Sequence, residues 1–103
     1  MYTRRIQIFP ALGKAPELQS LLEGQVKREQ TEGRAVNLSR QIVSAEGPTF
    51  SMVSRYNDLS ELENQLRENQ ADPAWRAFIA KSSSLIRQPV KQELFEVLVP
   101  FQG

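Results

Sequence analysis

The sequence of 103 residues contains neither cysteine nor histidine. Without cysteine the chain has no disulfide and no thiolate to act as nucleophile or metal ligand, although the redox compartment stays open. Without histidine it lacks the usual zinc ligands and any imidazole for acid–base catalysis. We therefore expect a protein that uses no metal and no bound cofactor.

An excess of charge and a long apolar run are absent as well. Thirteen basic and 12 acidic residues leave a formal net charge of +1, which provides no long-range field for nucleic acid or an anionic membrane. No apolar run approaches the ~20 residues that span a bilayer. No apolar signal core follows Arg4 and Arg5. We expect a cytoplasmic protein that binds neither nucleic acid nor membranes.

Hydrophobic periodicity predicts the order strand, helix, strand, strand, helix, strand, with the second helix split in two. The length of 103 residues suits a single domain over residues 1–103, with a modest core. The predicted elements are the strand Arg4–Pro10, the helix Pro16–Gly33, the strands Arg34–Ser44 and Thr49–Tyr56, the helical segments Leu59–Gln70 and Pro73–Ile86, and the strand Gln92–Val99.

Local signals set the ends of the second helical unit. Asp58, with Glu61 following, matches a capping box, and Asp72-Pro73 matches a cap followed by the first residue of a new helix. Leu59, Leu62 and Leu66 are predicted to form the apolar stripe of the first segment. In the earlier helix, Gly24 has two possible explanations. Either it allows close contact with a neighbouring element, or the helix simply tolerates a glycine there.

This element order predicts an α+β fold, the ferredoxin-like βαββαβ plait, in which both helical units cover one face of a four-stranded antiparallel sheet. The second sheet face is predicted to be half apolar. Its apolar members would be Phe9, Val43 and Val53, with either Leu94 and Leu98 or their alternates. Such a face indicates an interface with a second copy, and the alternative is a scatter of surface hydrophobes.

One stretch of the chain resembles a known group of proteins. The strand Phe50–Tyr56 ends in Tyr-x-Asp, and after a helix comes Asp72-Pro73-Ala74-Trp75-Arg76-Ala77-Phe78. In this pattern, and in the order of elements over nearly the whole chain, the sequence resembles the dimeric α/β-barrel (ferredoxin-like) superfamily, most of all its NIPSNAP-type proteins. The motif is short and partly structural, so it speaks for the fold more than for an activity.

The resemblance implies a homodimer in which two open sheet faces meet and close a barrel. It also implies a pocket between sheet and helices. Relatives include cofactor-independent oxygenases of polyketide quinones, haem-degrading enzymes, lactone isomerases and proteins of unknown role. Many of them rely on a histidine, so haem ligation by histidine is excluded here.

Four side chains are the candidates for a ligand pocket. Arg40, Ser54 and Tyr56 occupy even steps on strand faces that are otherwise apolar. Arg40 would act as an electrostatic clamp and Tyr56 as a hydrogen-bond donor, with Trp75 as an apolar wall. In the alternative interpretation, Arg40 extends to water from a sheet edge, and Tyr56 and Trp75 are ordinary core aromatics.

Two functions remain open from the sequence. The dimer would bind a small organic ligand between sheet and helices without performing chemistry. Alternatively, it would be a cofactor-independent oxygenase or isomerase of an enolisable or aromatic small molecule. Binding is favoured because no good general base is visible, but the sequence does not decide whether the protein is an enzyme.

Overall fold

A computed structural model of the protein describes residues 1–43 and 45–102. Within these residues, no helix is both long and apolar enough to cross a membrane. The elements are the strand β1 (Tyr2–Ile8), the helix α1 (Ala15–Thr31), the strands β2 (Val36–Gln41) and β3 (Thr49–Tyr56), the helices α2 (Leu59–Ala71) and α3 (Pro73–Ser83), and the strand β4 (Lys91–Glu96).

The four strands form one antiparallel sheet in the order β2-β3-β1-β4. The two central strands are therefore β3 and β1, as the plait requires. Helices lie on the face that carries the even-numbered strand residues, since Ile8, Phe50 and Met52 are buried together with residues of α1 and α3. The predicted fold, α+β with a single four-stranded sheet, is confirmed.

The core forms where alternating strand residues meet the apolar stripe of α1. Leu18, Leu22 and Val26 recur at four-residue steps on α1 and are buried against the sheet. Phe78 of α3 belongs to the same core. Trp75 packs beside Phe78, with the two ring centroids 5.4 Å apart. Trp75 itself is half-buried.

The helix α2 is oriented differently from the prediction. Leu59 and Leu66 of the predicted apolar stripe are 45% and 40% exposed, whereas the polar Gln65 and Asn69 are buried. A stripe of leucines normally faces the core, so another interaction decides this orientation. Ile79 of α3 is likewise exposed.

Two predicted strands were too long because their pairing partners end first. β2 pairs only with β3, and β3 begins at Thr49 opposite Gln41. Ile42, which falls within the predicted strand Arg34–Ser44, therefore lies beyond the sheet and is 87% exposed. The predicted strand end, Ser44, lies outside the described residues. β4 ends at Glu96 opposite Tyr2, near the start of the chain.

The open face of the sheet carries polar contacts and fewer of the predicted apolar residues. Gln41 Oε1 accepts hydrogen bonds from Gln7 and Thr49 at 3.2 and 2.8 Å, and Arg5 pairs with Glu93 at 2.5 Å. Val43 lies beyond the end of β2 and contributes nothing to this face. Of the predicted apolar members, Val53 lies on this face and Val43 does not.

Phe9 follows β1 and was predicted to lie on that open face. It is instead fully buried. Arg87 and Lys91 lie over its ring, with Arg87 Cζ 5.4 Å and Lys91 Nζ 5.6 Å from the ring centroid. These distances suit a cation–π contact. The ring is thus not available at the surface for stacking against a base.

Gly24 provides a test of local helix stability. A methyl group at this position would meet no atom within 4 Å. We expect Gly24→Ala to stabilise the protein by about 0.5–1 kcal/mol, because alanine restricts the unfolded chain and favours the helix. Urea denaturation measures the change in unfolding free energy.

Gly33 is the matched control, since it has a φ of +86° immediately after α1. Gly33→Ala should destabilise the protein, because this conformation strains residues that carry a Cβ. A loss of stability for Gly24→Ala would show that a neighbour requires the space at this position.

Candidate functional site

A buried polar cluster joins the end of α1 to α2. Glu29 is only 3% exposed, yet its Oε1 accepts hydrogen bonds from Arg34 Nη1 and Gln65 Nε2, both at 3.3 Å. Arg34 Nη1 also donates to Asn69 Oδ1 at 3.3 Å. A buried carboxylate is costly unless it is paired and hydrogen-bonded. The polar side of α2 is therefore the side that packs inward.

The turn after α1 positions Arg34 for this role. Gly33 adopts a positive φ, and Arg34 N then donates to the Glu29 carbonyl at 3.0 Å. The guanidinium also donates from Nη2 to Glu68 Oε2 at 2.9 Å. Desolvation alone would lower the pKa of Arg34. The hydrogen bond to Glu68 and the charges of Glu29 and Glu32 outweigh it and raise the pKa above its ordinary value.

A cleft of about 310 Å³ opens beside this cluster, between the ends of β2 and β3 and the first turns of α2. It lies between sheet and helices, which is where the family resemblance implied a pocket. Its wall is mainly polar. The lining residues are Glu32, Gly33, Arg34, Ala35, Ser54, Arg55, Tyr56, Glu61, Asn64, Gln65 and Glu68.

Tyr56 is the buried aromatic group of this cleft. The residue is 4% exposed, and its hydroxyl oxygen is buried with no hydrogen-bond partner among the described residues. A buried hydroxyl without a partner costs free energy. Ser54 lies on the same strand face, two residues before Tyr56, and also lines the cleft.

The carboxylates of the cleft already have acceptor roles. Glu61 Oε2 accepts from Asn57 N, and Asp58 Oδ1 accepts from Glu61 N, both at 2.9 Å, which fixes the start of α2. Glu68 and Glu32 pair with Arg34 at 2.9 and 3.8 Å. In the described part of the chain, no group of acidic side chains is arranged to hold a metal ion.

The structure brings together only two of the predicted pocket residues. Ser54 and Tyr56 share the cleft. Arg40 lies farther along the same sheet face, opposite Phe50, with an exposed side chain beside α1. Trp75 packs in the core next to Phe78.

Arg34, one of the two arginines that line the cleft, was missed by sequence reasoning. A signal was present, because Glu29 continues the buried stripe of Leu22 and Val26 at a three-residue step. A carboxylate on a buried helix face requires a nearby cation. Arg34 is the first basic residue after the helix, so this requirement would have identified it.

Comparisons with known proteins place the fold in a wider group. No protein-family model matches the sequence, and no curated protein sequence matches it. Among solved structures, an uncharacterized NIPSNAP domain protein from Burkholderia xenovorans is similar, with a TM-score of 0.80 and 17% sequence identity, and the match covers 98% of this chain and 100% of that chain.

Two further structures share the architecture. An antibiotic biosynthesis monooxygenase matches with a TM-score of 0.72 and 15% identity over 97% of this chain and 100% of that chain. Rv0793 from Mycobacterium tuberculosis matches with a TM-score of 0.73 and 18% identity over 98% of both chains. These likenesses show that the chain shares the α+β, ferredoxin-like fold of these structures. The predicted resemblance is thus confirmed at the level of the fold.

The polar cluster makes a prediction about stability. Arg34→Met leaves Glu29 buried without its cation, so we expect a loss of about 2–3 kcal/mol, somewhat below a fully buried pair. Adding Glu29→Gln should recover much of this loss, because the buried charge is then removed as well. Chemical denaturation of the two variants measures both effects.

Glu68→Gln is the matched control, because Glu68 pairs with the same guanidinium from an exposed position. Its loss should stay below about 1 kcal/mol, as for other surface pairs. The account of the cluster is wrong if Glu68→Gln costs as much as Arg34→Met.

Proposed function

We propose that the protein binds a small polar organic molecule in the cleft between β3 and α2. The observation that carries this proposal is the buried hydroxyl of Tyr56, which has no partner among the described residues. A ligand oxygen that accepts or donates a hydrogen bond there would offset the cost of burying the hydroxyl. Because the hydroxyl is sealed from solvent, the ligand must displace a side chain of the cleft wall to reach it.

The cleft wall defines the chemical class of the ligand. Arg34 is already neutralised by the surrounding carboxylates, so it offers little charge to an incoming dianion. The hydroxyl of Ser54 and the amides of Asn64 and Gln65 supply neutral hydrogen-bonding groups in the lining. This set fits a neutral or singly charged molecule that carries carbonyl, enol or hydroxyl oxygens.

Binding is better supported than turnover. One solved structure of similar fold is described as an antibiotic biosynthesis monooxygenase, and an oxygenase or isomerase of an enolisable molecule is the alternative function. Proton abstraction needs a base within hydrogen-bond reach of the substrate. The carboxylates Glu61 and Glu68 are occupied by Asn57 N and Arg34. A ligand-binding role requires no such base.

We further propose that the protein forms a homodimer through the open sheet face. This assembly is the one implied by the resemblance to dimeric α/β barrels. Val53 and Phe95 are the apolar residues of that face within the strands, and exposed Val99 and Phe101 continue beyond β4. A chain this small gains stability from burying such groups against a second copy.

Tyr56→Phe separates ligand binding from folding. Removal of the unpartnered hydroxyl should leave the melting temperature of the free protein unchanged or raise it. The same variant should lose the thermal stabilisation produced by ligands of the cleft. The measurement is a thermal-shift screen of aromatic and enolic acids, hydroxyketones and lactones, run on both proteins and followed by calorimetry of each compound that binds.

Arg40→Met provides the control, because Arg40 lies outside the cleft and is exposed. It should change neither stability, beyond about 0.5 kcal/mol, nor the ligand response. The proposal fails if no compound stabilises the wild type, or if ligands stabilise Tyr56→Phe as strongly as the wild type.

Val53→Lys tests the proposed dimer. Val53 lies on the open face of the central strand β3, opposite Arg5. A lysine there adds a positive charge to each of the two facing sheets, so we expect the dissociation constant of the dimer to rise at least tenfold. Sedimentation velocity from about 0.1 to 100 μM measures it, and a monomeric wild type over that range would contradict the dimer.

A further inference from the structure

A groove of about 350 Å³ lies between α1 and α3, on the side of the sheet that the helices cover. Among the described residues, only members of these two helices line it. The groove is therefore separate from the open sheet face, and it shares no lining residue with the cleft between β3 and α2. Its wall is mainly apolar. We call it the α1–α3 groove, and a site there does not depend on the function proposed for the cleft.

Small residues keep the α1–α3 groove open. Ser20 and Gly24 line it from α1, and Ala74 and Ala77 line it from α3. A Cβ at Gly24 would meet no atom within 4 Å, so this glycine does not serve close contact between the two helices. Glycine weakens a helix relative to alanine. Its presence here is explained if the open space beside α1 receives another molecule.

A buried amide without a partner provides independent evidence for a ligand. Gln25 lines the groove and is 6% exposed, and its Nε2 is buried without a hydrogen-bond partner among the described residues. Burial of an unpaired N–H group costs free energy. An acceptor oxygen held in the groove would offset this cost after a rotation of the amide.

The charges that line the groove are those of Arg28 and Lys81. Arg28 Nη2 lies 3.6 Å from Asp72 Oδ2, while Arg28 Nε is a further buried N–H group without a partner in the described part of the chain. Lys81 is exposed and forms no ion pair with any residue that the structure describes. None of the described carboxylates lines the groove. The groove thus offers one free positive charge and unpaired donors, with no anion to match them.

The directions of the two helices bring Gln25 and Lys81 together. The pair between Arg28 and Asp72 places the last turn of α1 beside the start of α3, so the two helices run in opposite directions along the groove. Helical side chains lean toward the N-terminus of their own helix. Gln25 therefore leans toward the level of Lys81, and Lys81 leans toward the level of Gln25.

From these observations we propose that the α1–α3 groove binds a monocarboxylate with a compact apolar body. The carboxylate accepts a hydrogen bond from Gln25 Nε2 and pairs with the ammonium group of Lys81. The apolar body lies over Gly24, against Leu21 and Phe78. Removal of this apolar surface from water supplies much of the affinity.

The groove favours this class over other small molecules. A phosphate group would require more than one free cation, and Arg28 already shares its charge with Asp72. A neutral apolar molecule would leave the amide of Gln25 unpaired, and an amine would be repelled by Lys81. A single carboxylate satisfies both the unpaired N–H group and the free charge.

The test is a titration of ¹⁵N-labelled protein with octanoate and with 3-phenylpropanoate, followed by two-dimensional NMR. The corresponding alcohols are the neutral controls. We expect at least one acid to shift the backbone amide signals of Gly24 and Ala77 and the side-chain amide signal of Gln25, with its alcohol at least tenfold weaker. The proposal is overturned if neither acid shifts these signals at about 10 mM, or if the alcohols bind as tightly as the acids.

Gly24→Leu separates folding from binding. Leucine favours a helix more than glycine does, and its Cβ enters open space, so the free protein should be at least as stable as the wild type. Because the leucine side chain occupies the groove, the acid should bind at least tenfold more weakly. Ala80→Leu is the matched control, since Ala80 is exposed on α3 and does not line the groove. It should leave the affinity unchanged.

Two further substitutions locate the polar contacts. Gln25→Met removes the buried unpaired N–H group, so it should leave stability unchanged or raise it while weakening binding several-fold. Lys81→Gln should also weaken binding several-fold, and this difference from the wild type should diminish at high salt. Arg76→Gln removes an exposed charge of the same helix outside the groove and should not change the affinity.

Tyr56→Phe distinguishes the groove from the cleft between β3 and α2, and it should bind the acids as the wild type does. If Tyr56→Phe loses binding while Gly24→Leu retains it, the acids bind in the cleft and the proposal is overturned. The same conclusion follows if Gln25→Met and Lys81→Gln both bind like the wild type. A lower oligomeric state of Gly24→Leu in sedimentation velocity would also overturn it, because the groove would then be a contact between copies of the chain.

Discussion

The ion pair between Glu29 and Arg34 is the interaction on which the arrangement of α2 depends. Glu29 lies on the buried stripe of α1, so the fold must bring a cation and further donors to it. The turn at Gly33 brings Arg34 to Glu29. From α2, Gln65 donates a hydrogen bond to Glu29, and Asn69 accepts one from Arg34. Leu59 and Leu66 are left facing outward as a consequence. An unpaired buried charge is costlier than two half-exposed leucines, and the observed orientation follows from this difference.

The same constraint shapes the proposed ligand site. Because α2 docks through polar side chains, its first turns leave a cleft against Ser54 and Tyr56 rather than sealing the end of the sheet with leucines. Glu61 and Glu68 accept hydrogen bonds from Asn57 N and Arg34, whereas the hydroxyl of Tyr56 has no partner among the described residues. The ligand-binding capacity proposed for this cleft therefore follows from the way in which the buried carboxylate of Glu29 is paired with Arg34.

Sequence reasoning predicted the parts of the structure that local patterns control. The strand Thr49–Tyr56, the capping residues Asp58 and Asp72, and the plait topology follow from alternation, capping and connection lengths. Strand ends were less predictable. Ile42 lies outside the sheet because the partner strand β3 begins at Thr49, opposite Gln41. The orientation of α2 could not be derived from its own leucines, because a charge on another helix determines it. For the same reason the arginine that pairs with Glu29 beside the cleft is Arg34, whereas alternation within β2 pointed to Arg40.

Hydrogen exchange of individual amides, measured by NMR in the wild type, Arg34→Met and Leu66→Ala, tests most directly whether the polar cluster holds α2 in place. If it does, Arg34→Met reduces the protection of amides in α2 at least tenfold more than that of amides in β1 and β3, because local opening of α2 becomes easier. Leu66→Ala, which alters an exposed residue, leaves this pattern unchanged. The account is contradicted if α2 keeps its protection in Arg34→Met and loses it in Leu66→Ala, since the leucines would then hold the helix.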